Sequence, residues 1–134
     1  MELEMGMLKT IQDIHLELMR RTSFNEFDGK AVVSTLLENG ELWDAVMMDR
    51  PAIRLRRDKP TGYFISLIKL RDIHDDYWNV DTVYVLTTKD KADRIRELFD
   101  RLSADEVYVI QGERLKKAMG SMKPESCVVA AWWD

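Results

Sequence analysis

A chain of 134 residues is long enough to bury one core without disulfides or metals to hold it together. Hydrophobic residues make up 46% of the sequence and charged residues 33%, a balance that excludes a disordered or collagen-like protein. The formal net charge of −4 argues against nucleic acid as the main partner. We therefore expect a single α/β domain over residues 1–134.

The sequence gives no sign of a membrane segment or a secretion signal. No apolar run approaches the roughly 18 residues that cross a bilayer, and the first residues lack a basic segment followed by an apolar one. We therefore predict a cytoplasmic protein with no membrane partner.

The first part of the chain, residues 7–49, has the apolar spacing of helices. In residues 7–20 the apolar positions recur every three or four residues, which predicts a helix with one buried face. Asp28 is predicted to cap a second helix that ends at Gly40. A short third helix is predicted over residues 42–47.

Residues 53–70 are predicted to form a β-hairpin. Ile53 and Leu55 alternate with arginines, which is the period of a strand with one buried face. Residues 63–70 then form a nearly continuous apolar run of strand length, although periodicity alone also allows a buried helix there.

The last part of the chain switches between the period of a strand and the period of a helix, which predicts a βαβαβ segment. Its strands are expected at residues 82–86, 106–110 and 127–133, and its helices at residues 91–102 and 112–119. The predicted fold is thus α/β: N-terminal helices followed by a mixed sheet, built from the hairpin and the βαβαβ segment over residues 82–133, with helices packed on the sheet.

Polar residues follow two of the predicted strands and form the first candidate site. Thr87, Thr88 and Lys89 follow one strand, and Gln111 and Gly112 follow the next. In open α/β sheets ligands bind at the carboxyl ends of strands, where hydroxyls, an ammonium group and a helix N-terminus can hold an anion. No glycine-rich phosphate or dinucleotide motif accompanies these residues, so the ligand is expected to be a small anion of unspecified type.

An acidic loop is the second candidate site. Asp72, His74, Asp75 and Asp76 combine carboxylates with an imidazole, which are ligands for a divalent metal ion. Their spacing matches no known metal motif, so a solvated loop that caps helices is the alternative interpretation. The connection to the next strand is short, so neighbouring strands here should be antiparallel, and the loop should lie at the opposite end of the sheet from Thr87.

A basic segment is the third candidate site. Arg54, Arg56, Arg57 and Lys59 cluster in the predicted hairpin, within a chain that is otherwise acidic. Such a cluster could contact nucleic-acid phosphates, but a solvated strand face has the same composition.

Two residues with reactive side chains are interpreted as structural. The single cysteine, Cys127, lies in an apolar run and is predicted to be a small buried hydrophobic residue. His15 flanks the apolar stripe of the first helix and is predicted to be satisfied by a hydrogen bond.

These patterns do not contain a set of catalytic residues. We therefore expect a non-enzymatic module that binds a protein partner or a small anionic ligand and self-associates, with no evident cofactor. The alternatives are a metal-dependent hydrolase or nuclease that uses the acidic loop, and a weak nucleic-acid binder that uses the basic hairpin.

Overall fold

A computed structural model of the protein describes residues 10–49 and 67–134. The helices in these ranges are α1 (Ile11–Arg20), α2 (Gly29–Glu38), α3 (Ile68–His74), α4 (Ala92–Arg101) and α5 (Gly112–Met119). The strands are β1 (Ser23–Phe24), β2 (Phe27–Asp28), β3 (Ala45–Asp49), β4 (Thr82–Thr88), β5 (Glu106–Ile110) and β6 (Ser126–Trp132). Within the described residues, no helix is both long enough and apolar enough to cross a bilayer.

The larger sheet has the strand order β3-β4-β6-β5, and each neighbouring pair is antiparallel. Helices pack on this sheet, so the predicted α/β class is confirmed. The sheet was expected to be mixed, but it contains no parallel neighbours among the described strands, because β6 lies between the parallel strands β4 and β5. β6 is buried at five successive positions, and a strand that is apolar on both sides is accommodated best in the middle of a sheet.

The predicted third helix over residues 42–47 is wrong. A short 3-10 helix covers Gly40–Leu42, and β3 then begins at Ala45. Val46 and Met48 point into the core while Met47 is exposed, which is the alternation of a strand. Pairing with β4 therefore decided the structure of a segment whose apolar spacing also fits a helix.

The predicted strand over residues 63–70 is wrong at its end, since residues 68–70 belong to α3. The helical alternative for this run is therefore correct at these positions. The rest of the predicted hairpin, residues 53–66, lies outside the described residues.

The main core lies on one side of the larger sheet, called the inner face here. It is made by alternate strand residues: Val46, Met48, Val83, Val85, Val107, Val109, Cys127, Val129 and Ala131. Cys127 is fully buried, as predicted.

Trp133, which follows β6, lies on the same inner face. Its ring packs against those of Phe27 and Phe99, with centroid distances of 5.0 and 5.8 Å. The indole Nε1 of Trp133 donates a hydrogen bond to the carbonyl oxygen of Leu102 at 3.0 Å.

Helix α1 lies along the outer edge of β3 because one side chain pairs with the strand. The amide Nε2 of Gln12 donates to the carbonyl oxygen of Val46, and the Val46 backbone N–H donates to Gln12 Oε1, both at 2.8 Å. Gln12 therefore satisfies an edge position that β4 does not reach. A capping box, in which Thr10 and Asp13 exchange hydrogen bonds, begins the helix.

One acidic side chain of α1, that of Glu17, is almost fully buried and is held by two arginines. Arg20 donates two hydrogen bonds to the Glu17 carboxylate, at 2.9 and 2.6 Å, and Arg21 donates a third at 2.8 Å. The hydrogen bond from Arg20 is the largest effect that lowers the pKa of Glu17, which falls from 4.5 to about 2.

This pairing predicts an acid-sensitive contribution to stability. Because the folded pKa is lowered, the stabilisation is present above pH 4.5 and is lost as the pH falls toward about 2. Glu17→Gln is expected to lower the free energy of unfolding at pH 7 by about 2 kcal/mol, since the charged hydrogen bonds from the largely buried Arg20 to the carboxylate are lost. Urea titrations at pH 7 and pH 3 should show a smaller pH-dependent loss for the variant than for the wild type. An equal loss in both proteins would contradict this role.

Candidate functional site

A cavity of about 450 Å³ lies on the opposite side of the larger sheet, called the outer face here. It is bordered by this face, α1 and α5 and is open on one side. The described residues that line it are Ile11, Gln12, His15, Ala45, Val46, Met47, Tyr84, Leu86, Ile110, Leu115, Ala118, Met119 and Val128. Its volume falls within the range of small-molecule sites.

The floor of the cavity follows from strand alternation. When Val83 and Val85 point inward, Tyr84 and Leu86 must point to the outer face. Leu86 is paired with Val128 on β6, which is in turn paired with Ile110 on β5. The floor is therefore a row of aliphatic side chains that crosses three strands.

The two walls are helices whose apolar residues face the floor. On α5, Leu115 is buried, and Ala118 and Met119 lie at the cavity on the same side of the helix. On α1, Ile11 and His15 lie four residues apart, so they share one side of the helix. The Gln12 contact with β3 holds this wall in place.

The lining is almost entirely apolar, so its few polar groups determine what can bind. Both ends of the Gln12 amide are engaged by Val46. His15 has a ring nitrogen, Nδ1, that is buried and has no hydrogen-bond partner in the described part of the chain. The expected hydrogen bond that would satisfy His15 is therefore not found at Nδ1, and a buried polar atom without a partner is costly.

Tyr84 is the third described lining residue with a polar group, its hydroxyl. Burial is the main cause that raises its pKa to about 12, and nearby Tyr108 and Asp49 add to the effect. Both tyrosines neighbour Ala130 in the sheet, and this small residue leaves room between them. Tyr84 therefore stays protonated at neutral pH.

The described lining residues offer mainly apolar contacts. None of the described lining residues is a serine, cysteine, lysine, aspartate or glutamate, so a conventional nucleophile or carboxylate base is absent among them. A molecule in the cavity would meet mainly aliphatic side chains, with His15 and Tyr84 among the lining residues.

The predicted anion-binding residues share one end of the sheet but are not all accessible. Thr88 is the last residue of β4 and Gln111 follows β5, and these two strands run in the same direction on either side of β6. Thr87 is buried and donates its hydroxyl to the carbonyl oxygen of Leu42 at 2.5 Å. The hydroxyl of Thr88 donates to Asp90. Lys89, with its backbone N–H bonded to Glu125, and Gly112, which has φ +65°, complete the predicted set.

The predicted metal-binding loop lies at the other end of β4. A strand of this length separates its two ends by about 20 Å, so the loop and Thr87 belong to different regions. Asp72 is buried and accepts hydrogen bonds from Asn79 and from Arg71, the latter at 2.7 Å.

The other three residues of this loop lie at the end of α3. His74 is the last residue of the helix, and Asp75 and Asp76 follow it. Within the residues that the structure describes, no three His, Cys, Asp or Glu side chains are grouped closely enough to hold a metal ion. The metal interpretation therefore gains no support from the geometry.

The predicted nucleic-acid residues Arg54, Arg56, Arg57 and Lys59 lie outside the described residues.

The cavity is a site that reasoning from the sequence missed. One signal was present in the sequence. Apolar side chains also occupy the strand positions that point away from the core, as at Leu86, Ile110 and Val128, whereas helices were expected only over the core side of the sheet.

No protein-family model, curated protein or solved structure matches the chain.

Proposed function

We propose that the protein is a non-enzymatic cytoplasmic module that binds one small, mainly apolar molecule with an acidic or hydrogen-bonding head group. The observation that carries the proposal is the apolar cavity of about 450 Å³ on the outer face, whose lining includes His15, a residue with a buried Nδ1 that has no partner among the described residues. Sites of this kind hold a ligand by apolar contact and orient it with a few polar groups.

Burial of the apolar part supplies most of the expected affinity. A ligand that buries roughly 200 Å² of apolar surface in the cavity gains about 5 kcal/mol of binding free energy, before the cost of immobilising the ligand is subtracted. The expected dissociation constant for a simple ligand is therefore about 0.2 mM or weaker. Leu86, Val128 and Leu115 would supply the main contacts.

His15 supports the choice of head group. His15 is part of the cavity wall, so a carboxylate or hydroxyl of the ligand could complete the hydrogen bond that Nδ1 lacks among the described residues. A carboxylate head group would also agree with the small anionic ligand expected from the sequence, although it is placed at a different site.

The proposal is tested by calorimetric titration of the full chain with octanoate, octanol and acetate. Octanoate and octanol should bind with a stoichiometry of one and with a negative heat-capacity change, because both bury an alkyl chain. Acetate should show no measurable binding. Binding of none of the three, or equal binding of acetate and octanoate, would contradict the proposal, as would catalytic turnover of a generic ester or phosphoester.

A substitution at the cavity wall tests where the ligand binds. Ala118→Trp places a large ring at the cavity and is expected to weaken octanoate binding at least tenfold. Lys117→Trp is the matched control, because Lys117 is exposed on the same helix and does not line the cavity. Equal affinity in the two variants would show that octanoate binds elsewhere.

The role of His15 is tested by His15→Leu. This variant keeps an apolar wall but removes the ring nitrogen, so octanoate binding is expected to weaken about tenfold, the value of one lost hydrogen bond to a charged group. Octanol should lose less, because its hydroxyl is neutral. An unchanged ratio of the two affinities would remove His15 from the head-group site and leave the apolar cavity itself intact.

A further inference from the structure

Strand β5 forms the end of the larger sheet and is paired on one side only, with β6. No second strand pairs with it among the residues that the structure describes. An open edge of this kind has backbone N–H and C=O groups that can accept another strand.

The outward groups of β5 can be deduced from the opposite edge of the sheet. The backbone N–H and C=O groups of Val46 are both bonded to Gln12, so these two groups point away from β4. In an antiparallel ladder, successive residues point alternately to one neighbour and to the other. This alternation can be followed from β3 through β4 and β6 to β5 by the register of each pair. The backbone groups of Tyr108 then point to β6, while the backbone groups of Val107 and Val109 point outward.

The sequence of β5 lacks the features that usually protect a sheet edge. The strand Glu106–Ile110 contains no proline and no lysine, and its register with β6 is continuous, without a bulge. Its three central residues are β-branched or aromatic, types that favour strand pairing.

We propose that β5 pairs antiparallel with β5 of a second copy of this chain, and that the pair is centred on Tyr108. In this register Val107 of each copy lies opposite Val109 of the other, so all of the outward backbone groups of these valines are hydrogen-bonded. The two Tyr108 residues form the close, non-hydrogen-bonded pair, a favourable position for aromatic side chains.

The distribution of charge favours the same register. Glu106 of each copy lies opposite Ile110 of the other, so the two glutamates lie at opposite ends of the paired strands. Each acidic end, which includes exposed Asp105, then approaches α5 of the other copy. This helix is basic overall, since one exposed acid, Glu113, is outnumbered by three exposed bases: Arg114, Lys116 and Lys117. A second copy is therefore an electrostatically complementary partner for this edge.

Sedimentation equilibrium of the wild type should show a dimer that dissociates on dilution. Val109→Pro removes one outward N–H donor from each copy but no bond to β6, so it should weaken the dimer at least tenfold. Val109→Ala is the matched control, since it shortens the side chain but keeps the donor. A wild-type monomer at all concentrations would overturn the proposal, and so would a dimer that the proline variant does not weaken.

Cysteine cross-linking tests the register and does not require the proline variant to fold. Tyr108→Cys places two thiols at the symmetry axis, where mild oxidation should join the copies through a disulfide. Glu106→Cys, on the same face of the same strand, places them several residues apart and should not cross-link. Buried Cys127 does not compete for the oxidant. Cross-linking of Glu106→Cys but not of Tyr108→Cys would overturn the proposed register.

Discussion

Gly29→Ala is expected to destabilise the fold by at least about 3 kcal/mol, because backbone atoms occupy the space that a side chain would need. A Cβ atom at Gly29 would lie 1.9 Å from the carbonyl oxygen of Met19 and 2.5 Å from that of Thr22. The Gly29 N–H also donates to the Thr22 carbonyl at 3.0 Å, which keeps the two segments together. The end of α1 and the start of α2 would have to separate.

Urea unfolding at neutral pH, followed by circular dichroism, measures this effect. Gly40→Ala is the matched control, since a Cβ at Gly40 would meet no atom within 4 Å. The control should have a free energy of unfolding within about 1 kcal/mol of the wild type. A Gly29→Ala protein as stable as the Gly40→Ala protein would show that α1 and α2 do not meet as closely as described.

Trp133→Ala is expected to have the largest effect of any single truncation, about 4 kcal/mol of stability. The side chain is fully buried between the rings of Phe27 and Phe99. Its removal leaves a large cavity and also leaves the Leu102 carbonyl without the indole donor. The loss therefore combines apolar contacts, aromatic pairs and one hydrogen bond.

The neighbouring tryptophan supplies the control for this prediction. Trp132 is only half-buried, and its Nε1 donates to the Asp81 carboxylate at 3.1 Å. Trp132→Ala should therefore cost about 1 to 2 kcal/mol. The midpoints of thermal unfolding for the two variants compare them directly. A greater loss for Trp132→Ala would place the wrong tryptophan in the core.

The elements that the sequence predicts well are those with strong and isolated periodicity. The strand predicted over residues 106–110 and the helix predicted over residues 112–119 have the bounds of β5 and α5. The helix predicted over residues 91–102 differs from α4 by one residue at each end. In these segments the local pattern and the tertiary contacts favour the same structure.

Other elements depended on contacts between distant segments. Residues 45–49 contain apolar spacing that fits a helix or a strand, and pairing with β4 selects the strand. The position of β6 between β4 and β5 is a property of the whole sheet, because each strand alone is compatible with several orders.

The candidate site was beyond prediction for the same reason. His15 and Tyr84 are far apart in the sequence, and no local sequence pattern indicates that α1 and β4 meet at one cavity. Thr87 was expected to help bind an anion, but it lies within β4 and its hydroxyl donates a hydrogen bond to the Leu42 carbonyl oxygen. Side-chain direction and the order of the strands therefore determined what the sequence pattern could not.

The central claim is that the outer-face cavity binds an apolar molecule through its alkyl chain. It is tested most directly by isotope-filtered nuclear Overhauser spectra of the labelled protein with octanoate. We expect contacts from the alkyl chain to the methyl groups of Leu86, Leu115 and Val128, and from the carbons next to the carboxylate to the His15 ring. Contacts confined to exposed apolar residues elsewhere, such as Leu70 and Ile73 on α3, would contradict it.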